Sequence, residues 1–296
     1  MGRGAAAIAL KSARRGRARR ARTRAATARL PTQGPTLNAR RRPPPAPLAA
    51  IALAALALLP APRAAAATAE ELADFDAKVE YAFFTEDARA LAALVAADRP
   101  LATSAQALER YQYAHAEFRL LQVAYRGRRS KEVAAAADGC LDALDPLTER
   151  EPRDAEGLAL AAACAGYLGA PGGLRGMGPQ HKSEACIAQA RELAPRNPRV
   201  LLVDGLTRWF RPGAGTADHA AARAAFEAAA RAFETVTESA PGQPSWGEAE
   251  AWLFVGRALE EAGDPLGARN AYEKSLLIAP EFAAARRRVA ALRAKH

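Results

Sequence analysis

The side chains that most often perform chemistry in proteins, cysteine and histidine, are few in this chain and widely spaced. There are three cysteines and four histidines in 296 residues. His181 lies five residues before Cys186 and no CxxC pair exists, so the spacing argues against a metal site. No histidine lies in a GxSxG or HExxH frame, which argues against nucleophilic or zinc-dependent hydrolysis. We therefore expect no catalytic residue, no metal and no cofactor.

The three cysteines fall in stretches whose apolar residues recur at helical spacing. Buried free thiols are the favoured interpretation, because a small apolar side chain suits a tight interface between helices. The alternative is one disulfide in an oxidising compartment. Cys164 and Cys186 would then pair, since they would belong to adjacent antiparallel helices, and Cys140 would be left over.

Two further sequence patterns could indicate either a binding or catalytic site or an ordinary structural element. The glycine-rich stretch 170–179 contains Arg175, but it lacks the order GxxxxGK[ST] and no strand precedes it. Glu260 and Glu261 are neighbouring carboxylates, yet consecutive residues of a helix point in different directions. We interpret the first pattern as an inserted loop and the second as a solvated helix face.

Charge divides the chain into two parts. The formal net charge is +10, but residues 1–67 contain 14 of the 42 Lys and Arg and none of the 32 Asp and Glu. Residues 68–296 are therefore mildly acidic, which argues against a nucleic-acid partner for the folded part. A composition with 50% apolar residues also excludes a collagen-like or wholly disordered chain.

Residues 1–67 follow the order basic, apolar, small that is typical of a secretory signal peptide. Arginines dominate residues 14–24, residues 48–59 are all Ala, Leu or Ile, and small residues follow up to Ala69. The apolar run is too short to span a bilayer comfortably, and no later run reaches that length. We predict cleavage between Ala65 and Ala69 and a periplasmic or secreted protein. The alternatives are an organellar transit peptide, an uncleaved anchor, or a true translation start after residue 39.

From Thr68 onward the apolar residues recur at helical spacing, which predicts an all-α domain over residues 68–296. We predict five antiparallel helix pairs and one last basic helix. The predicted helices are 71–84 with 87–97, 104–125 with 131–144, 155–168 with 182–193, 199–210 with 218–238, 248–262 with 265–278, and then 282–294. Pro100, Gly127 and Pro146 punctuate the first two pairs.

The fifth pair carries the signature of a helical repeat. Characteristic small and large residues recur at helical spacing along its two helices, and a proline ends the second helix. The residues are Trp252, Val255, Gly256, Leu259, Ala268, Tyr272, Ser275 and Pro280. In type and spacing they resemble the tetratricopeptide repeat, TPR, over a 34-residue unit. The resemblance weakens upstream, where Gly205 and Phe226 echo Gly256 and Tyr272. In the third pair Ser183, Ile187, Ala190 and Pro195 echo Ala268, Tyr272, Ser275 and Pro280.

The repeats are not uniform in length. The closing prolines Pro152, Pro195, Pro241 and Pro280 are 43, 46 and 39 residues apart, which predicts insertions. We place these insertions in loops at 170–179 and 211–217. The last helix, 282–294, is predicted to cap the final repeat, because a solenoid end needs one wettable face. The competing interpretation is a basic arm for an anionic partner.

The resemblance also implies where a partner would bind. In TPR proteins the first helices of the repeats line a concave groove, so Glu250, Leu253 and Arg257 would face it. Leu253 and Arg257 replace the Lys and Asn with which chaperone-binding TPRs hold a terminal carboxylate, so that ligand is disfavoured. A further candidate recognition group lies at the end of the predicted helix 199–210, although packing under the inserted loop is its alternative role. It consists of Trp209, Phe210 and Arg211.

Residues 197–202 and 246–250 also look like those of uncharacterised exported bacterial TPR proteins, a resemblance that implies no activity. We therefore expect a non-enzymatic periplasmic TPR scaffold that binds a protein or peptide in its groove. An envelope enzyme or enzyme subunit with a site near the inserted loops is one alternative. A protein that self-associates through its terminal repeat is the other. The identity of the partner stays open.

Overall fold

The computed structural model describes residues 66–150, 153–236 and 240–294, which belong to one compact unit. They contain eleven α-helices and a short 3-10 helix, Arg99–Thr103, and no strand occurs among them. The helices are α1 (Ala69–Phe84), α2 (Ala88–Ala97), α3 (Ala107–Arg126), α4 (Ser130–Thr148), α5 (Ala155–Gly169), α6 (Gly173–Leu193), α7 (Pro198–Trp209), α8 (Thr216–Phe233), α9 (Glu248–Glu261), α10 (Pro265–Ile278) and α11 (Ala283–Arg293). The all-α prediction is confirmed. Residues 1–65 of the predicted signal-peptide region at 1–67, Pro152 and residues 237–238 lie outside the described residues.

Polar side chains fix where several helices begin. Thr68 and Glu71 form a reciprocal capping box at the start of α1, in which each side chain accepts a hydrogen bond from the other's backbone N–H. Asp154, Asn197 and Asp264 each accept backbone N–H groups at the starts of α5, α7 and α10. These caps explain why the starts of α1, α5, α7 and α10 agree closely with the sequence pattern.

Consecutive helices pack as antiparallel pairs, α3 with α4, α5 with α6, α7 with α8 and α9 with α10. Each pair also packs on the next, through α4 and α5 and through α8 and α9. The first helices of neighbouring pairs touch as well, as α3 with α5 and α5 with α7 do. The predicted series of TPR-like helix pairs with a terminal helix is therefore confirmed.

The residues of the repeat signature occupy equivalent places in different pairs. Gly256 on α9 lies against the ring of Tyr272 on α10, and Gly205 on α7 lies against the ring of Phe226 on α8. A glycine at each of these places lets the backbone of one helix approach an aromatic ring of its partner.

Buried serines also join the helices within two pairs. Ser275 Oγ donates a hydrogen bond to the carbonyl oxygen of Ala249, at 2.7 Å, and ties α10 to α9. Ser183 Oγ donates to the carbonyl oxygen of Ala162, also at 2.7 Å, and ties α6 to α5. A serine hydrogen bond therefore joins the two helices in each of these pairs, although the two serines occupy different positions of the repeat.

The predicted loop at 170–179 is wrong. Helix α6 already begins at Gly173 and runs through Pro179, so only a tight turn separates it from α5. Gly172 has a φ of 67° and forms this turn. A β-carbon at Gly176 would lie 2.8 Å from the carbonyl oxygen of Gly169, so this glycine permits close packing of α5 and α6. The glycines therefore serve a turn and a helix contact. By contrast, the predicted loop after α7 is present, because α8 begins only at Thr216.

The second pair also differs from its prediction, because Pro146 does not end α4. The helix continues through this proline to Thr148. Thr148 Oγ1 donates a hydrogen bond to the carbonyl oxygen of Leu144, at 3.2 Å, within the last turn.

A disulfide joins Cys140 of α4 to Cys164 of α5, and both residues are fully buried. The expectation of three free thiols is wrong, and so is the alternative pairing of Cys164 with Cys186. Cys164 lies in the core that α5 shares with the preceding pair, where its Cα is 6.6 Å from that of Cys140. Cys186 is free and only partly buried on α6.

The series of pairs closes on itself. Phe282, which precedes α11, contacts Phe84 of α1 with ring centroids 4.8 Å apart. Arg287 on α11 forms two hydrogen bonds to the carboxylate of Glu86, just after α1, at 2.8 and 2.6 Å. The first and last helices therefore share one hydrophobic cluster. No helix of the described part of the chain is long and apolar enough to cross a membrane.

Candidate binding groove

A cavity of about 650 Å³, hereafter the groove, lies between helices of the described series. Its walls come mainly from α3, α5, α7 and α9, which are the first helices of their pairs, with further residues from α6 and α11. Apolar side chains from these helices and from α1 form much of the surface. Six of the larger ones are Phe83, Tyr167, Leu206, Leu253, Phe254 and Phe282.

The charged side chains that line the groove are mainly cationic. They are Arg126, Arg211, Arg257, Arg287 and Arg288, with Glu250 as the single carboxylate among the lining residues that the structure describes. Glu86, Asp218 and Glu260, which do not line the groove, neutralise several of these arginines. Arg126 Nε lies 3.2 Å from Glu86, which Arg287 also contacts.

The remaining arginines of the groove differ in how well they are neutralised. Arg211 pairs with Asp218, whereas Arg288 Nη1 is 3.5 Å from Glu260. Within the described ranges, Arg257 forms no ion pair.

Arg257 is instead surrounded by aromatic rings. Its guanidinium carbon lies 5.1 Å from the ring centroid of Phe254, 5.4 Å from that of Phe210 and 5.9 Å from that of Trp209. Such cation–π contacts partly replace lost water. Burial, and then the neighbouring charge of Arg288, lower the pKa of Arg257. The groove therefore holds a partly desolvated cation against aromatic rings.

The three residues of the recognition group predicted at the end of α7 have different surroundings in the structure. Trp209 does not line the groove, because it stacks on His219 with ring centroids 4.5 Å apart and contacts Phe226. Phe210 does line the groove and is 50% exposed. Arg211 lies beside it in the wall.

The residues predicted on α9 all lie at the groove, but with different surroundings. Leu253 is 7% exposed and contributes to the apolar surface. Arg257 is the cation described above. Glu250 is only 4% exposed, and its carboxylate lies 2.5 Å from Nη2 of Arg119. Burial raises the pKa of Glu250, and Arg119 only partly opposes this effect. Glu250 therefore joins α9 to α3 as well as lining the groove.

Beneath the groove lies a buried polar cluster that the sequence analysis did not predict. Arg119 has no exposed surface and holds the carboxylate of Glu80 through Nε at 2.6 Å and Nη2 at 3.0 Å. Its Nη1 donates to the side-chain oxygen of Gln122 at 2.9 Å. Its guanidinium carbon lies 3.9 Å from the ring centroid of Phe83. Because Glu250 binds the same guanidinium, Arg119 connects α1, α3 and α9.

His115 is the second cation-forming group of this cluster. Its Nδ1 lies 3.2 Å from Asp76 and its Nε2 lies 3.3 Å from Glu80, and the ring stacks on Trp246. Burial alone would lower the pKa of His115, but the contacts with the two carboxylates outweigh it and raise that pKa. Because the ring is 0% exposed, no substrate reaches it. The arrangement is suited to holding helices together.

One signal in the sequence could have indicated this cluster. Six polar residues of α3 are buried, and four of them recur every three or four residues, which is the spacing of one helix face. They are Gln112, His115, Arg119 and Gln122. With regard to metal binding, no group of three or more potential ligands occurs among the described residues.

No family model matches the chain, and no curated protein matches it. Among solved structures, the chain is similar to a thermophilic TPR protein of Thermus thermophilus, with 19% sequence identity and a TM-score of 0.49. That match covers 76% of this chain and 98% of the other.

Proposed function

We propose that this protein is a non-enzymatic, exported scaffold that binds an extended segment of a partner protein in the groove. The observation that carries the proposal is the lining of the groove by the first helices of successive pairs. Stacked helix pairs form extended concave surfaces of this kind, and proteins built from them use those surfaces for binding.

The size and chemistry of the groove support a peptide ligand. A cavity of about 650 Å³ is in the range that holds ligands of several side chains. Apolar and aromatic residues supply contact area, and the arginines supply donors that fix the orientation of a bound segment. Phe210 is an exposed aromatic residue beside these arginines, the combination that often dominates binding energy.

Two observations support export. Residues 1–67 have the order of a signal peptide. Independently, the bond between Cys140 and Cys164 is of a kind that persists in oxidising compartments such as the periplasm. Both observations support a location of the folded domain outside the cytoplasm.

Two adjacent alanines of α11 provide a matched test of binding in the groove. Ala291 is exposed and lines the groove, whereas Ala290 is exposed on another side of the helix. We expect Ala291→Trp to fill part of the groove and Ala290→Trp to leave it open. The domain and both variants would be immobilised, and proteins retained from an envelope extract would be quantified by mass spectrometry.

The proposal predicts a discrete set of proteins that is retained by the parent and by Ala290→Trp and is depleted on Ala291→Trp. Thermal melting of both variants checks that the fold is intact. Equal retention by the two tryptophan variants would show that binding occurs elsewhere and would refute the proposal.

A further inference from the structure

We propose that the segment bound in the groove is acidic, and that its carboxylates are received by Arg257 of α9 and Arg288 of α11. This inference rests on the proposed function and adds the chemical class of the ligand. It also gives α11 a part in recognition in addition to its role as the end of the helix series.

Arg257 provides the first argument. It is partly buried and forms no ion pair with any residue that the structure describes. The aromatic rings of Phe210 and Phe254 cover one side of it but offer no hydrogen-bond acceptor. A guanidinium has five N–H donors and binds a carboxylate with two of them in a planar pair. A carboxylate from a ligand would therefore supply the partner that the fold does not.

Arg288 provides the second argument. Its side chain is 44% exposed, and its contact with Glu260 at 3.5 Å is long for a charge-assisted hydrogen bond. Arg257 and Arg288 are close enough for the charge of Arg288 to lower the pKa of Arg257. Two like charges so placed repel each other, and an anion between them would remove the repulsion.

The shape of the groove selects a peptide over other anionic macromolecules. The arginines lie on the inner walls of a concave cavity, and the contacts of α1 with Phe282 and α11 close one side. A flat bilayer or a nucleic-acid duplex needs cations on an open surface, whereas an extended chain fits between helices. The apolar surface from Leu206 and Leu253 suits alternating apolar side chains of such a chain.

The test uses two fluorescein-labelled peptides of equal length, one alternating Glu with Phe and one alternating Gln with Phe. Fluorescence anisotropy measures their binding to the domain with its disulfide intact. We expect the Glu peptide to bind about tenfold more tightly than the Gln peptide, with affinity that falls as salt is added.

Single substitutions then identify the residues that cause the preference for the Glu peptide. Arg257→Gln and Arg288→Gln should each weaken binding of the Glu peptide about fivefold or more and should leave the Gln peptide nearly unaffected. Arg286→Gln is the matched control, because it removes the same charge from an exposed site on α11 that does not line the groove. Arg288→Gln, at a solvent-exposed position, keeps the test decisive if Arg257→Gln lowers the melting temperature.

The outcomes separate this inference from the proposed function. Equal binding of both peptides would overturn the acidic preference and would leave peptide binding in the groove intact. Equal effects of Arg286→Gln and Arg288→Gln would show non-specific attraction and would also overturn the inference. If neither peptide binds, the inference fails, and the comparison of Ala291→Trp with Ala290→Trp decides the proposed function separately.

Discussion

A β-carbon added to Gly256 would lie 2.4 Å from Cε1 of Tyr272. The same distance separates a β-carbon at Gly205 from the Phe226 ring, although these residues belong to the preceding pair. Real β-carbons do not approach other heavy atoms so closely, so at both places only glycine fits without movement of a helix or a ring. This contact is therefore a structural requirement of the helix pairs rather than a feature of one loop.

Gly256→Leu should destabilise the domain by several kcal/mol, because overpacking of a well-packed interface costs about 1–3 kcal/mol or more. Urea denaturation would measure the change. Ala135→Leu is the control, since it adds the bulk of a leucine at an exposed position of α4. The control should be neutral within about 0.5 kcal/mol, as is usual for surface substitutions. A parent-like midpoint for Gly256→Leu would contradict the assigned helix contact.

The stability of the domain should fall as pH rises from about 4.5 to about 7, because burial raises the pKa of Glu117 to about 7. Tyr113 donates a hydrogen bond to this carboxyl group at 3.0 Å and opposes the effect only in part. The folded state holds a proton that the unfolded chain releases near pH 4.5. The stability that this proton confers is complete below that pH and is lost as pH passes about 7.

Glu117→Gln should therefore reduce the pH dependence and stabilise the domain at pH 8, by up to about 3 kcal/mol. Chemical denaturation at a series of pH values gives the measurement. Glu132→Gln, at an exposed position of α4, is the control and should keep the parental slope. In Glu117→Gln a smaller decrease of stability with pH should remain, because the pKa of His115 is also raised in the folded state. The stability that the protonated His115 confers is lost as pH rises through that folded pKa. An unchanged slope in Glu117→Gln would refute the assignment.

Loss of the disulfide should cost about 3 kcal/mol, the value expected for a loop of roughly 25 residues. The sequence separation of Cys140 and Cys164 is 24. Cys140→Ala with Cys164→Ala should lower the denaturation midpoint, whereas Cys186→Ala should not. A thiol titration in denaturant should find one reactive cysteine before reduction and three after it. Three thiols before reduction would contradict the bond.

Deletion of residues 281–296 should lower the melting temperature and promote aggregation. It removes Phe282, Val289 and Leu292, all of which are buried, and exposes the hydrophobic cluster that they share with Tyr272. If α11 were instead a basic arm for an anionic partner, the deletion would leave the melting temperature unchanged and would abolish salt-sensitive binding to anionic vesicles. Phe282→Ala alone should cost about 3–5 kcal/mol. Unchanged melting after the deletion would refute the role of α11 as a cap.

The exported protein should lack residues 1 to about 66, which N-terminal sequencing of the secreted product would show. The backbone N–H of Ala67 donates to Oε1 of Glu109 at 2.7 Å. Cleavage after Ala66 would place the new α-ammonium group at that nitrogen and form an ion pair with Glu109. Cleavage there also keeps Thr68, the capping residue of α1. Recovery of an intact chain in the cytosol would exclude export.

The sequence was sufficient to predict the helix pairs, because apolar spacing and caps such as Asn197 are local signals. It was insufficient wherever distant helices decide the role of a residue. Gly176 was interpreted as part of a loop, yet its purpose depends on the backbone of Gly169 in another helix. Arginine is a residue type that is usually exposed to solvent. The burial of Arg119 is explained only by its ion pairs with the carboxylates of Glu80 and Glu250.

The contact between α1 and α11 changes how the domain can unfold. In an open solenoid each repeat touches only its neighbours, so the ends fray and folding spreads along one dimension. Here the pair of Glu86 and Arg287 joins positions 201 residues apart in sequence. Neither terminal helix can detach without breaking a contact with the other. The domain should therefore unfold as one cooperative unit, without the spring-like extension of an open superhelix.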